Sequence, residues 1–222
     1  MEQVAIAIHG NENVDFSAYT NHLSMIAIAA STYKLSLLTT RGIRIAQARN
    51  AIVKKLEEFE CKYVLFLDTD HLVPKNMVNL LMDSIEECSC VSGLVCRRKD
   101  TMDQVGYLKN GNEYTKIKLV PNSGVYEVDV CAFGCTLIRT KVFNDLTSPV
   151  FRDESKEKDN GEVFNMRSDV VFCNELKSKD HKIMIDTRVV VGHIGEPVVV
   201  WPWNGHKLRE LNEKRVLGSQ YS

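Results

Sequence analysis

Two carboxylates one residue apart close an apolar run in the segment YVLFLDTDHLVP, residues 63–74. Asp68 and Asp70 follow a predicted buried strand, and Pro74 is predicted to lie in the first turn of the next helix. Two partly shielded carboxylates repel each other, and a divalent cation offsets that repulsion best. Because carboxylate oxygens are hard ligands, the pair indicates a Mg²⁺ or Mn²⁺ site. The alternative is a chance triplet whose carboxylates only cap the next helix.

A second polar position follows another apolar run far along the chain. His193 lies in the segment VVVGHIGE, flanked by Gly192 and Gly195 near the predicted end of a strand. Glycines let backbone approach closely, and a neutral imidazole binds divalent metals. We therefore predict His193 as a metal ligand, against the alternative that a lone histidine is structural.

Alternating strands and helices must position these side chains. Strands are predicted in QVAIAIHG (3–10), YKLSLLTT (33–40), CKYVLFLD (61–68) and CVSGLVCRR (90–98), with a helix between each pair. The first helix is predicted to bury the face that carries Phe16, Tyr19, Leu23, Ile26, Ala27 and Ala30. This order predicts an α/β fold with a mostly parallel sheet, whose ligands bind at the carboxyl ends of the strands.

The second half of the chain has a less regular pattern. The charged segment FRDESKEKDNGE (151–162) predicts a solvated loop, either a connector or a lid. Farther on, Ser168 is predicted to cap a helix over SDVVFCNELKSKD (168–180), with Asp169 in its first turn. In AFGCTLIR, Gly134 suits a floor beneath a ligand, although core packing explains it almost as well.

Composition limits the classes of function. The 222 residues include 28 basic and 29 acidic side chains, so no overall field attracts nucleic acid or an anionic membrane. The seven cysteines form no CxxC pair, which favours reduced and mostly buried thiols. We expect a single cytoplasmic domain, since neither a signal peptide nor a membrane span is evident.

The ordered motifs resemble the GT-A class of nucleotide-sugar glycosyltransferases, especially the compact family 2-like members of bacteria and bacteriophages. The resemblance covers most of residues 3–195. It rests on VAIAIHG, AQARNAIVKKL, VLFLDTDHLVP, VSGLVCRR, AFGCTLIRTKVF, SDVVFC and VVVGHIG, in that order.

The resemblance implies a single Rossmann-like GT-A domain over residues 1–222, with a small antiparallel addition to its sheet. Its nucleotide-binding half is residues 1–98, its acceptor-binding and catalytic half is 99–200, and 201–222 form a tail or lid. Trp201 and Trp203 in that tail are candidates for stacking on a sugar or base, with burial against the body as the alternative.

The resemblance also implies roles for individual residues. Asp70 and His193 would bind Mn²⁺ or Mg²⁺, and Asp68 would contact the metal, its waters or the ribose of the donor. Arg49 and Asn50 would contact the donor, and the turn of His9, Gly10 and Asn11 would lie beside the nucleotide.

Asp169 is the implied catalytic base or acceptor-binding carboxylate. The common pattern has an acidic pair at this point, but here Ser168 replaces its first member. The alternative for Asp169 is a carboxylate that stabilises a helix amino terminus by about 0.3–1 kcal/mol.

The implied reaction transfers a sugar, most simply from a UDP-sugar, to a hydroxyl of a glycan, a protein or a modified DNA base. A haloacid-dehalogenase-like phosphotransferase also uses D-x-D, but normally at the start of the domain and with threonine or valine where Leu72 stands. A nucleic-acid-binding module would rest on the basic stretches 97–118 and 207–215. A sugar nucleotidyltransferase would need a glycine-rich amino-terminal loop that is absent.

Overall fold

The computed structural model describes residues 1–10, 14–97, 104–111, 113–157, 161, 163–195 and the backbone of 199–200. Its helices are α1 (Phe16–Ala29), α2 (Ile45–Leu56), α3 (Met77–Ile85) and α4 (Ser168–Ser178), and Thr140–Asp145 form a 3-10 helix. Its strands are β1 (Gln3–Gly10), β2 (Lys34–Arg41), β3 (Tyr63–Asp68), β4 (His71–Leu72), β5 (Cys90–Val95), β6 (Gly106–Asn110), β7 (Glu113–Lys116), β8 (Val125–Val128), β9 (Val130–Cys131), β10 (Cys135–Arg139), β11 (Glu154–Glu157), β12 (Val163–Met166), β13 (Ile183–Ile194) and β14 (Val199–Val200).

The central sheet has the strand order β14-β13-β5-β10-β3-β1-β2. Strand β1 is parallel to β2 and β3, and β5 is parallel to β13. Between these groups, β10 runs antiparallel to both β3 and β5. The prediction of a mostly parallel sheet with an antiparallel addition is therefore confirmed. Because β1, β3, β5 and β13 point the same way, their carboxyl ends meet at one edge.

Both faces of the sheet are covered, which explains why β3 is a continuous apolar run. Val64 and Phe66 of β3 face the core layer beneath α2 and α4, which includes Ile52 and Phe172. Leu65 and Leu67 face the layer beneath α1 and α3, which includes Met25 and Met77. The strand is thereby fixed from both sides up to Asp68.

The predicted buried face of α1 is wrong. Phe16, Tyr19 and Leu23 are exposed, and the helix instead buries Ala18, His22, Met25 and Ala29. Small side chains let the helix approach the sheet closely, and the buried His22 has a hydrogen-bonding partner there. Apolar spacing alone therefore selected the wrong side of this helix.

Three other details differ from the sequence-based expectations. Part of the predicted loop 151–162 is strand, since β11 pairs antiparallel with β12. The α4 N-cap position belongs to Arg167, so Ser168 is the first helical residue and is buried. Helix α3 begins at Met77, whose N–H donates to the Pro74 carbonyl, so Pro74 precedes the helix.

The expectation of buried thiols is confirmed. All seven cysteines are free and buried. None of the helices in the described part of the chain is long and apolar enough to cross a membrane. The tail 201–222, with Trp201, Trp203 and the basic stretch 207–215, lies outside the described residues, as do Asn11 and part of the basic stretch 97–118.

Candidate active site and metal centre

The β1 residues that the resemblance assigns to nucleotide binding lie beside the acidic motif. His9 is the register partner of Asp68 on the neighbouring parallel strand. The His9 Nδ1 atom hydrogen-bonds with Thr40 Oγ1 at 3.1 Å. Gly10 packs against the acidic turn, residues 68–73, so closely that a Cβ atom at Gly10 would lie 3.1 Å from Thr69 Cγ2. The sheet thus brings His9, Gly10 and Asp68 to one edge.

The fold also joins the acidic motif to the distant histidine. After Asp68 the chain turns into β4, which pairs antiparallel with β13 so that His71 lies opposite His193. The Ile194 N–H donates to the Asp70 carbonyl at 2.8 Å. As a result, the Oδ2 atom of Asp70 lies 3.3 Å from the Nε2 atom of His193.

Three side chains form a cluster that could hold a metal ion. One ligand atom each from Asp70, His71 and His193 lies within 4.8 Å of the others. The two imidazole rings are 4.5 Å apart between centroids. Asp68 is not one of the three, so direct ligation of a metal by Asp68 stays a prediction. The charge of Asp68 does act on His71, whose pKa it raises.

Hydrogen bonds orient both imidazoles toward the cluster. The Nδ1 atom of His71 donates to the Gly134 carbonyl, and that of His193 donates to the Cys96 carbonyl, each at 2.9 Å. A neutral imidazole held in this way presents its Nε2 lone pair, the arrangement common among metal-bound histidines. At His193 the Nε2 atom lies 3.3 Å from the Asp70 carboxylate, so a cation held between the two side chains could bind both.

His71 is the residue that the sequence reasoning missed. The residue is 2% exposed, and its Nε2 atom is buried without a hydrogen-bonding partner among the described residues. Burial lowers the pKa of His71 to about 4, with Asp68 opposing this effect and His193 adding to it. The imidazole is therefore neutral near pH 7. The available signal was its position directly after Asp70 in the motif.

The floor of the site has no room for a side chain at Gly134. A Cβ atom there would lie 1.9 Å from His71 Cε1 and 3.0 Å from Asp68 Oδ2. Hydroxyls of Ser92 and Thr136 bond to the Ala132 carbonyl and fix the turn that carries Gly134. The absence of a side chain at Gly134 therefore leaves room for the side chains of His71 and Asp68.

Arg49 lies beneath the site on α2. Its guanidinium stacks on the Phe133 ring at 4.9 Å and the Phe151 ring at 5.7 Å. Burial lowers the pKa of Arg49, and the charges of Asp68 and Asp169 oppose that shift. One buried cation therefore acts on the acidic motif and on the predicted catalytic residue together.

The neighbouring Asn50 has structural contacts. Its Nδ2 atom donates to the Phe151 carbonyl at 2.7 Å, and its Oδ1 atom accepts from the Phe151 N–H at 2.9 Å. These bonds join α2 to the segment that carries the Phe151 ring. A direct contact of Asn50 with the donor stays a prediction.

Asp169 lies in the first turn of α4, on the same side as Arg49. It is half-buried, and its Oδ1 atom accepts a hydrogen bond from the Val170 N–H at 3.0 Å. The helix start is fixed from outside, because the Ser168 N–H donates to Asp153 Oδ1 at 2.8 Å. The fold thus brings Asp169 within electrostatic reach of Arg49, while its catalytic role stays a prediction.

Known proteins match this chain in structure. No protein-family model matches the sequence, and no curated protein matches it. A197 from STIV superposes with a TM-score of 0.61 at 18% identity, over 91% of both chains. GalNAc-T7, solved with UDP, GalNAc and Mn²⁺, superposes with a TM-score of 0.60 at 13% identity, over 87% of this chain and 44% of that chain. Together with the sheet order, these similarities show a GT-A-like fold.

Proposed function

We propose that this protein is a metal-dependent glycosyltransferase that takes its sugar from a nucleoside diphosphate sugar, with UDP as the favoured nucleotide. The observation that carries the proposal is the convergence of Asp70, His71 and His193 at the carboxyl edge of the sheet. Ligands of open α/β sheets bind at this edge. The GT-A-like fold, and a structural neighbour solved with UDP and Mn²⁺, support the same reading.

The ligand set favours Mn²⁺ over Mg²⁺. Mg²⁺ binds almost entirely through oxygen, whereas two imidazole nitrogens and one carboxylate suit a first-row transition ion. When bound, such an ion stabilises the negative charge that develops on a departing diphosphate. His71 and His193 would hold it through their Nε2 atoms, and Asp70 through its carboxylate.

The remaining residues supply binding and proton transfer. His9, Gly10 and Asp68 lie where the nucleotide would bind beside the acidic turn. The acceptor hydroxyl forms a bond to the anomeric carbon, the bond to the diphosphate breaks, and Asp169 takes the hydroxyl proton. Arg49 carries the buried positive charge that acts on Asp68 and Asp169 throughout.

Calorimetric titration and thermal shift with Mn²⁺ and a panel of nucleotide sugars test this function. We expect UDP-sugars to raise the melting temperature only when Mn²⁺ is present, and Asp70→Ala or His193→Ala to abolish the effect. Transfer is then assayed against glycan, protein and hydroxyl-bearing modified DNA acceptors.

A second aspartate–histidine pair in the chain provides a matched control. His181 Nε2 lies 3.1 Å from Asp145 Oδ2, remote from the sheet edge that carries the acidic turn. His181→Ala should leave the responses to Mn²⁺ and nucleotide unchanged. A lack of response to every nucleotide, or a response that survives Asp70→Ala, would contradict the proposed function.

A further inference from the structure

The acidic turn is held from the side opposite β13 by two consecutive polar residues of α1. The Asn21 Nδ2 atom donates to the Val73 carbonyl at 3.0 Å, and its Oδ1 atom accepts from the Val73 N–H at 2.8 Å. The His22 Nε2 atom donates to the His71 carbonyl at 2.9 Å. These three bonds reach across about fifty residues of sequence and end on the backbone of the turn.

Helix α1 places both side chains against the turn at a cost in apolar burial. It leaves Phe16, Tyr19 and Leu23 exposed while His22 is only 4% exposed. A buried polar group of this kind persists in a fold when its hydrogen bond is made. The His22 Nε2 atom faces a carbonyl oxygen, which can only accept, so this nitrogen carries the proton and donates it to His71.

We propose that Asn21 and His22 are positioning residues of the metal centre, which fix the backbone of the turn so that the Asp70 and His71 ligand atoms meet His193. This inference rests on the proposed function, since it assumes that the cluster holds an ion. On one side the turn is paired with β13, through His71 opposite His193. On the other side the α1 side chains hold the carbonyl of His71 and both backbone groups of Val73.

Geometry explains why the second side is needed. Strand β4 is only two residues long, and Asp70 precedes it in the turn, so pairing with β13 alone fixes few dihedral angles. A metal site requires its ligand atoms to be held within a fraction of an ångström, and groups that support the ligands control affinity accordingly. Loss of the α1 bonds should therefore weaken metal binding without removing any ligand.

The test is a Mn²⁺ titration of the full chain, followed by the loss of the free Mn²⁺ spectrum in electron paramagnetic resonance. We expect His22→Leu and Asn21→Leu each to raise the Kd for Mn²⁺ by about 10- to 100-fold. The number of sites per folded chain should stay at that of the wild type. His22→Gln should restore most of the affinity, because a glutamine amide can donate from near the imidazole Nε2 position.

An arginine clamp at the opposite end of β3 gives the matched control. Arg139 donates to the Cys88 carbonyl at 3.0 Å and to the Ile85 carbonyl at 2.7 Å. Arg139→Met should lower the melting temperature and leave the Kd for Mn²⁺ unchanged. Because Asn21 is only half-buried, its variant should fold even if His22→Leu does not.

The outcomes separate this inference from the proposed function. If the wild type binds Mn²⁺ and Asp70→Ala does not, but both α1 leucine variants bind with wild-type Kd, the positioning role is overturned and the metal site stands. It is also overturned if His22→Gln is as weak as His22→Leu. If the wild type binds no Mn²⁺, both proposals fail together.

Discussion

At the scale of single residues, Gly134 decides whether the His71 ring can occupy its place. A Cβ atom at this position would overlap the ring, because it would lie 1.9 Å from Cε1 and 2.5 Å from Nδ1. We expect Gly134→Ala to displace the imidazole, to reduce the free energy of unfolding by about 1–3 kcal/mol and to weaken Mn²⁺ binding by about 10-fold or more. Chemical denaturation and Mn²⁺ titration measure the two effects.

Gly106→Ala is the matched control for overpacking. A Cβ atom there would lie 2.9 Å from Ile185 Cδ1 and 3.3 Å from Ile117 Cγ1, away from the metal cluster. It should lose less stability than Gly134→Ala, because Cδ1 ends a flexible side chain that can shift, and it should keep the wild-type Kd for Mn²⁺. Equal loss of metal affinity in both variants would mean that Gly134 has no specific role.

Replacement of Arg49 by methionine should lower the rate of catalysis without lowering stability. Its charge is buried against Phe133 and Phe151, so Arg49→Met replaces a desolvated cation by an apolar side chain that suits the aromatic pocket. We expect an unchanged or higher melting temperature, with kcat reduced by about 100- to 1000-fold, because Asp68 and Asp169 lose their shared positive neighbour. Steady-state kinetics with whichever nucleotide sugar responds in the thermal-shift panel, together with calorimetry, test this.

The half-buried Arg152, which pairs with Glu154 and Glu175, is the control arginine. Arg152→Met should change kcat by less than about 3-fold, since its bonds go to Glu154, Glu175 and the carbonyls of Thr147 and Pro149 rather than to Asp68 or Asp169. If Arg49→Met retains wild-type kcat, the guanidinium is only part of the packing beneath the site.

The residues themselves were only partly predictable from the sequence. The convergence of Asp70 and His193 followed from two apolar strands that each end in a polar group, and the structure brings those two side chains together. His71 was not predicted, because its alignment with His193 depends on the pairing of β4 with β13, and such a short strand has no periodicity to read. Asn50 hydrogen-bonds through its side chain to the backbone of Phe151, a contact that no local pattern indicates.

At the scale of elements, α4 depends on a carboxylate from outside the helix. The Ser168 N–H donates to Asp153, and the Arg167 side chain makes no capping bond. We expect Asp153→Ala to reduce the free energy of unfolding by about 1 kcal/mol, which corresponds to about 2–4 °C in melting temperature. It should also lower kcat, since Asp169 follows Ser168 directly. Thermal unfolding and kinetics measure both.

Asp153→Asn keeps an oxygen acceptor for the Ser168 N–H and should retain most of both properties. A kcat that is unchanged in Asp153→Ala, despite the lower melting temperature, would separate helix capping from the placement of Asp169. It would also remove one support for Asp169 as the catalytic base.

Elements of the first half were predictable because each is long and strongly patterned. Strands β1, β2, β3 and β5 and the helices between them follow apolar runs and helical periodicity, and the two-residue β4 is the exception. The face of α1 was not predictable, since its apolar stripe is exposed and its buried side carries His22. Nor was the antiparallel insertion of β10 between β3 and β5 specified by local pattern, because strand direction depends on contacts distant in sequence.

At the scale of the whole molecule, the buried cysteines report on global unfolding. All seven thiols are free and buried, and burial raises the pKa of Cys88 and Cys135 to about 12 and that of Cys96 to about 11. The thiolate is the reactive form, so native protein at pH 8 should be alkylated only through opening of the fold. We expect negligible labelling by iodoacetamide in minutes, and seven modifications in guanidinium, as read by intact-mass spectrometry.

The labelling rate of the same thiols also reports whether a ligand bound at the candidate metal centre stabilises the whole fold. A ligand that binds only the native state stabilises it by about 2.7 kcal/mol at a concentration of 100 Kd, which slows labelling through global unfolding by about 100-fold. We expect Mn²⁺ with a UDP-sugar to slow alkylation on this scale in the wild type but not in Asp70→Ala. Slow labelling in both proteins would place the ligand elsewhere. Rapid labelling of any native cysteine would instead show that its element opens locally, and that cysteine could not report on binding.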